Sequence, residues 1–295
     1  MRIPRARLLI VAAAVSVAVP ASAREIPRQQ TRAVTMEAAG SVRFDLYRGY
    51  FTVVHGSAGP LKNLNFFIDT GTSPTIVDSQ VAKKLHLHGD ESTRIAILGG
   101  MAPGEMTNVP SLKIGPVQRM NLKVVVTDLS FFRKAIPVRI DAIVGLDVLG
   151  QRPFVIDYSA RAIRFGESPA LAVSLPLRLD QGLAVFDAVI GDRPVHLLLD
   201  TGASSLVLFT KNVPQGTGSK ADAVLEEEEI GNFQSKQVRL RRLRLGSAEF
   251  RKKPALVTVN PKPSQFDFDG LISPVALGLS RVAVNVAEGT LAFSR

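Results

Sequence analysis

Phe66-Phe67-Ile68-Asp69-Thr70-Gly71-Thr72-Ser73 and Leu197-Leu198-Leu199-Asp200-Thr201-Gly202-Ala203-Ser204 decide how this chain is read. Each stretch drives an apolar run into Asp-Thr-Gly-x-Ser. A second apolar run follows, Ile76-Val77 in one copy and Leu206-Val207-Leu208 in the other. A carboxylate at the tip of an apolar strand is costly to desolvate, since even an uncharged polar group without a partner costs roughly 2–7 kcal/mol. Meeting that cost twice, in matching surroundings, implies that the two carboxylates are built to meet.

The flanks repeat as well. An offset of 131 residues relates Asp69 to Asp200, Gly100 to Gly231 and Gly115 to Gly246. Later landmarks shift to 128: Asp141-Ala142-Ile143-Val144 matches Asp269-Gly270-Leu271-Ile272, and Ile163-Arg164-Phe165 matches Leu291-Ala292-Phe293. A constant offset with one small deletion marks an internal duplication. Two copies predict a pseudo-symmetric, two-lobed chain.

Between these landmarks the chain breaks into apolar runs of four to eight residues separated by Gly, Pro, Asn and Asp, at 50–55, 65–68, 122–126, 140–144 and 154–157. The second half repeats the pattern at 183–190, 195–199, 255–259 and 282–286. Runs this short and rich in Val, Ile, Leu and Phe favour strands. The spacing predicts an all-β fold with sparse, short helices, the best candidate lying at 79–85. Glu167-Ser168-Pro169 reads as the seam, giving an N-terminal lobe at 41–168 and a C-terminal lobe at 169–295.

The first residues stand apart. Arg2, Arg5 and Arg7 precede the apolar run from Leu8 to Val19, and Pro20 leads into the small-residue site Ala21-Ser22-Ala23. This is the pattern of a secretory signal peptide at 1–23, too short to span a membrane. Residues 24–40 carry no periodicity and read as a flexible leader. Export is therefore expected, to a bacterial periplasm or the medium, with no transmembrane anchor after cleavage.

The 295 residues contain no cysteine, which excludes disulfides, thiolate catalysis and cysteine-ligated zinc. Formal net charge is +10, and much of the excess sits in Arg239, Arg241, Arg242, Arg244, Arg251, Lys252 and Lys253. A basic stripe can meet nucleic acid or an anionic membrane surface. These residues, however, alternate with Leu240, Leu243 and Leu245, carry no aromatic ladder and lie close to the acidic run Glu226 to Glu229, which reads as the solvated face of an amphipathic strand pair. No nucleic acid is expected as a partner. His86 and His88 would share one face of a strand, but no further ligand accompanies them, so neither metal nor cofactor is expected. His-Glu-x-x-His, Gly-x-Ser-x-Gly and a phosphate-cradling Gly-Lys loop are all missing from the sequence.

Glycine at 71 and 202 permits a tight turn that exposes amide donors to the adjacent carboxylate. Thr70 and Thr201 supply hydroxyls able to brace one loop against the other. If the loops face each other, Asp69 and Asp200 cannot both ionise cheaply and share one proton. Such a pair holds water, deprotonates it with one member and polarises a carbonyl with the other.

These residues resemble the pepsin/retropepsin aspartic peptidases, and within them the two-repeat bacterial retropepsin-like proteins. The resemblance covers nearly the whole chain beyond residue 40. Its signature is two apolar residues before Asp-Thr-Gly-x-Ser in each lobe, then two apolar residues and glycine. The first lobe fits in full, through Ser73 and on to Ile143-Val144-Gly145. The second fits through Ser204, then departs at Leu271-Ile272-Ser273, where a side chain is expected to crowd the loop.

The resemblance implies catalysis by Asp69 and Asp200, supported by Thr70, Gly71, Thr72, Ser73, Thr201, Gly202 and Ser204. It also implies flap hairpins at Leu98-Gly99-Gly100-Met101 and Ile230-Gly231-Asn232-Phe233, closing over a peptide or protein substrate. The expected molecule is a monomer whose lobes form an intramolecular pseudo-dimer. Its implied activity is endopeptidase; the other class is a non-catalytic peptide-binding protein of the same fold.

Overall fold

The computed structural model describes residues 40–89, 91–97, 100–209, 228–230, 233–258 and 267–295. The expected signal peptide lies outside the described residues, as does all of the leader except Gly40. Strands dominate. In the first half they are β1 (Gly40–Tyr47), β2 (Phe51–Ala58), β3 (Leu61–Ile68), β4 (Ile76–Asp78), β5 (Glu91–Ile97), β6 (Gly100–Ile114), β7 (Val117–Thr127), β8 (Ala142–Val144), β9 (Phe154–Asp157) and β10 (Ala162–Phe165). In the second they are β11 (Val173–Pro176), β12 (Arg178–Asp180), β13 (Leu183–Ile190), β14 (Arg193–Leu199), β15 (Leu206–Phe209), β16 (Glu228–Ile230), β17 (Phe233–Leu245), β18 (Ala248–Thr258), β19 (Gly270–Ile272), β20 (Arg281–Asn285) and β21 (Thr290–Ser294). Helices are brief: α1 (Ser79–Lys84), α2 (Leu146–Leu149), α3 (Pro274–Leu277) and a 3-10 turn at Ser130–Lys134.

The duplication is visible in the register. In the first lobe β3 runs parallel to β8, pairing Ile68 with Val144, and β8 runs antiparallel to β4, pairing Ile143 with Ile76. In the second, β14 pairs Leu199 with Ile272 of β19, which pairs Leu271 with Val207 of β15. Every partner is displaced by the offsets seen in the sequence. The matching aspartates repeat the same clip: Asp141 accepts the Asn65 amide at 2.9 Å, and Asp269 accepts the His196 amide at 2.8 Å. Gly115 and Gly246 turn the matching hairpins at φ +51° and +54°, a conformation that costs a side chain but not glycine.

The lobes join through one sheet. β9 pairs β20 antiparallel, with Val155 opposite Ala283 and Ile156 opposite Val282. Because Val155 and Ala283 are themselves equivalent in the repeat, the pseudo-twofold axis passes through that pair. Below it a continuous core takes Phe66, Ile68, Leu197 and Leu199 from both lobes together with Phe154, Phe165 and Phe293. Fully burying each such side chain stabilises the fold by roughly 1.5–3 kcal/mol.

The opposite face of each lobe's sheet has its own core. In the first lobe it is aromatic, with Phe51, Phe67 and Phe132, and in the second it is largely aliphatic, with Leu183, Val185, Leu198 and Leu271. Burial there pushes the Tyr50 hydroxyl up to about 12.

The strand expected for His86 and His88 is not formed. Helix α1 ends at Lys84 with Leu85 as its C-cap, and His86 adopts φ 52° while its amide donates to the Lys83 carbonyl at 3.1 Å. That helix-terminating turn puts the two imidazoles on a loop. Among the described residues no group of His, Asp or Glu could hold a metal ion. No described helix is long and apolar enough to cross a membrane.

Candidate active site

Asp69 and Asp200 each sit one residue past the end of a buried strand, β3 and β14. Their amides are held by the neighbouring strand, Asp69 by the Val144 carbonyl and Asp200 by the Ile272 carbonyl, both at 3.0 Å. The loops that follow face one another. Thr70 donates its hydroxyl to the Leu199 carbonyl at 2.7 Å and its amide to the Thr201 hydroxyl at 3.0 Å. Thr201 reciprocates, through its hydroxyl to the Ile68 carbonyl and its amide to the Thr70 hydroxyl, both at 3.1 Å. Four buried bonds therefore cross between the lobes at one point. Thr201→Val keeps the shape but strands the Thr70 amide and the Ile68 carbonyl, so chemical denaturation should show a loss of roughly 1–3 kcal/mol. An unchanged midpoint would count against the brace.

The glycines show how close the carboxylates lie. A Cβ placed on Gly71 would sit 2.7 Å from the Asp200 carboxyl carbon, and one on Gly202 would sit 2.6 Å from that of Asp69. Each glycine is thus pressed against the opposite lobe's aspartate, and no other residue fits either position. Each also serves its own: the Gly71 amide donates to Asp69 Oδ1 and the Gly202 amide to Asp200 Oδ1, both at 2.8 Å.

The symmetry breaks one residue later. The Thr72 hydroxyl donates to Asp69 Oδ2 at 2.8 Å. Its counterpart is Ala203, and Asp200 Oδ2 is buried without a donor. Both carboxyls are fully buried, and burial raises both. Asp69 rises from 3.8 to about 6, held back by the Thr72 hydroxyl and the Gly71 amide. Asp200 rises well above the ordinary value through burial and the adjacent Asp69 charge. Asp69 is therefore the member that ionises first, and Asp200 the one that keeps the proton. Burial likewise raises the Tyr158 hydroxyl, and the Asp200 charge adds to the effect, so this tyrosine at the end of β9 lies within the dyad's electrostatic reach.

Ser73 meets the second lobe at Gly182, where an added Cβ would lie 2.5 Å from its hydroxyl, whereas the Ser204 hydroxyl is buried with no partner. Where flaps are expected, β5 pairs Ile97 with Gly100, and β16 pairs Ile230 with Phe233. Gly99 and Gly231 lie outside the described residues.

Thr75 and Asp147 were not singled out in the sequence. Asp147 accepts the Thr75 amide at 2.8 Å and hydroxyl at 2.6 Å, and the Thr75 hydroxyl accepts the Gly145 amide at 3.1 Å. This ties the loop under Asp69 to α2. Burial raises the Asp147 carboxyl above its usual range. The repeat puts Leu206 and Val275 at these places in the second lobe, so only one catalytic loop has the polar tie. The signal was Thr six residues after Asp69 together with Asp two residues after Gly145.

Gly145 and Ser273 differ for a physical reason. A Cβ on Gly145 would lie 2.0 Å from the Thr72 carbonyl oxygen, with no flexible atom to yield. Ser273 fits because its backbone turns differently, with ψ 129° against −171° at Gly145. The expected crowding does not displace the second loop, where the Asp200, Thr201 and Gly202 amides make the same bonds as those of Asp69, Thr70 and Gly71. Gly145→Ala should lower stability by at least about 1–3 kcal/mol and cut activity with it. Ser273→Gly should change stability by no more than about 1 kcal/mol. Equal effects from the two substitutions, measured by denaturation, would contradict the contrast.

Two fully buried carboxyls, each pressed against the glycine of the opposite loop and both raised by burial, have the arrangement that sharing one proton requires. The family model described as aspartyl protease matches the chain twice, over residues 53–148 and 186–280, one match per repeat. The chain belongs to this family, as a two-repeat, retropepsin-like member. A search of the curated proteins finds no match.

Proposed function

We propose that this chain is an exported aspartic endopeptidase that hydrolyses peptide bonds with a water activated between Asp69 and Asp200. The observation that carries the reading is the reciprocal contact of each catalytic glycine with the opposite carboxylate. Asp69, as carboxylate, takes a proton from water while Asp200 gives its proton to the scissile carbonyl oxygen, forming a gem-diol. Asp69 then returns a proton to the leaving nitrogen, Asp200 recovers one from a diol hydroxyl, and the carbon–nitrogen bond breaks. Proton count closes over the cycle without a covalent intermediate.

Thr70 and Thr201 hold the pair rigid, and Thr72 biases the charge to Asp69. The hairpins that include Gly100 and Ile230 cover an extended peptide. The lobes divide at 168/169. Export is supported by the basic and apolar pattern of residues 1–23.

The test is digestion of a mixed peptide library in ¹⁸O-labelled water, read by mass spectrometry. The reading predicts new C-termini carrying one solvent oxygen per cleavage. Peptides retained on the protein but uncut at every pH from about 4 to 8 would make it a binding protein instead.

A further inference from the structure

The duplication supplies an internal control for the cationic hairpin of β17 and β18. Leu240, Leu243, Leu245 and Phe250 enter the core from this hairpin, as Val109, Leu112 and Ile114 do from its counterpart β6–β7. The fold therefore asks the same of both hairpins. Their outer faces differ. Arg239, Arg241, Arg251 and Lys252 are exposed where the first lobe exposes Asn108, Pro110, Met120 and Asn121. Arg244 adds a fifth cation, matched by Lys113.

Position 252 is the most telling. Lys252 and Asn121 share the left-handed conformation, at φ 51° and 47°. Asparagine tolerates that region, and an unbranched cation has no such advantage. The second lobe accepts the less suitable residue and gains a charge. Among the described residues Arg241, Arg244 and Lys252 have no carboxylate partner, and only Glu249 pairs with Arg251. The fold thus does not require these cations, and among the described residues most of them have no carboxylate partner.

We propose that this face of the second lobe docks the protein on an anionic lipid bilayer. A planar negative surface fits because the cations stand out along an exposed two-stranded ribbon, Arg239, Arg241 and Arg244 on β17 and Arg251 and Lys252 on β18. Phe250, the aromatic beside these cations, is buried and gives bases no stacking platform. Long arginine and lysine side chains spread over a β-ribbon meet a sheet of headgroups at several points, each contributing about fivefold to partitioning.

The experiment is co-sedimentation of the full chain with vesicles of phosphatidylglycerol and phosphatidylcholine, against phosphatidylcholine alone. Binding only to the anionic vesicles, weakened by salt, is expected. R241E/K252E should lower the partition coefficient by at least about 25-fold. K113E/K123E, which changes net charge equally on the first lobe's hairpin, should stay within about twofold. Circular dichroism checks that both variants fold. Equal losses in the two variants would reduce the effect to net charge and overturn the proposal. So would absence of binding to anionic vesicles, or displacement from them by duplex DNA at equal phosphate concentration.

Discussion

Asp69→Asn and Asp200→Asn each lower kcat/KM for peptide cleavage by at least about 10³-fold, and neither lowers the melting temperature at neutral pH. Asparagine keeps the planar shape and accepts the same glycine amide, so the loop survives. It cannot share a proton. Losing Asp69 removes the base that activates water; losing Asp200 removes the acid that polarises the carbonyl. Because the two act as a unit, the double variant is no slower than the slower single one within about tenfold. Multiplying losses would show two independent groups. A drop in stability matching the drop in activity would show a structural role.

The second large effect is on stability against pH. An ordinary aspartate titrates at 3.8, whereas burial lifts Asp69 to about 6 and Asp200 well above its usual value. The folded protein therefore retains protons that the unfolded chain has released. With folded values raised, the stabilising contribution is full below the ordinary aspartate value and is lost as pH rises through about 6. The slope is about 1.4 kcal/mol per pH unit for each proton retained. Denaturation midpoints measured from pH 4 to 7 should fall more steeply for the parent than for Asp69→Asn/Asp200→Asn. Parallel curves would mean that the carboxyls are not buried as a pair.

Much of the dyad was legible because duplication wrote it twice. The Asp-Thr-Gly loops, the repeat offsets and the turn glycines at 115 and 246 all follow from local sequence, and the structure repeats them register by register. The alternation of Arg with Leu after residue 238 likewise gave the amphipathic strand pair. What sequence could not supply were partners created by folding. Thr75 and Asp147 lie 72 positions apart and meet only when β4 and α2 flank the same loop. Ser273 looked like a defect because side-chain volume can be read from sequence, while the compensating change in ψ cannot. His86 and His88 were misplaced for a related reason. Alternation suggested a strand, but the turn that ends α1 prevailed.

The most direct test of the paired-carboxylate account is kcat/KM against pH for the parent and Thr72→Ala. The account predicts a bell, since only the singly ionised pair is competent, with its acid limb set by the lower apparent value near 6. Removing the Thr72 hydroxyl withdraws a bond that favours ionised Asp69, so that limb should move to higher pH. A profile without an acid limb, or one that Thr72→Ala leaves in place, would contradict a shared proton biased toward Asp200.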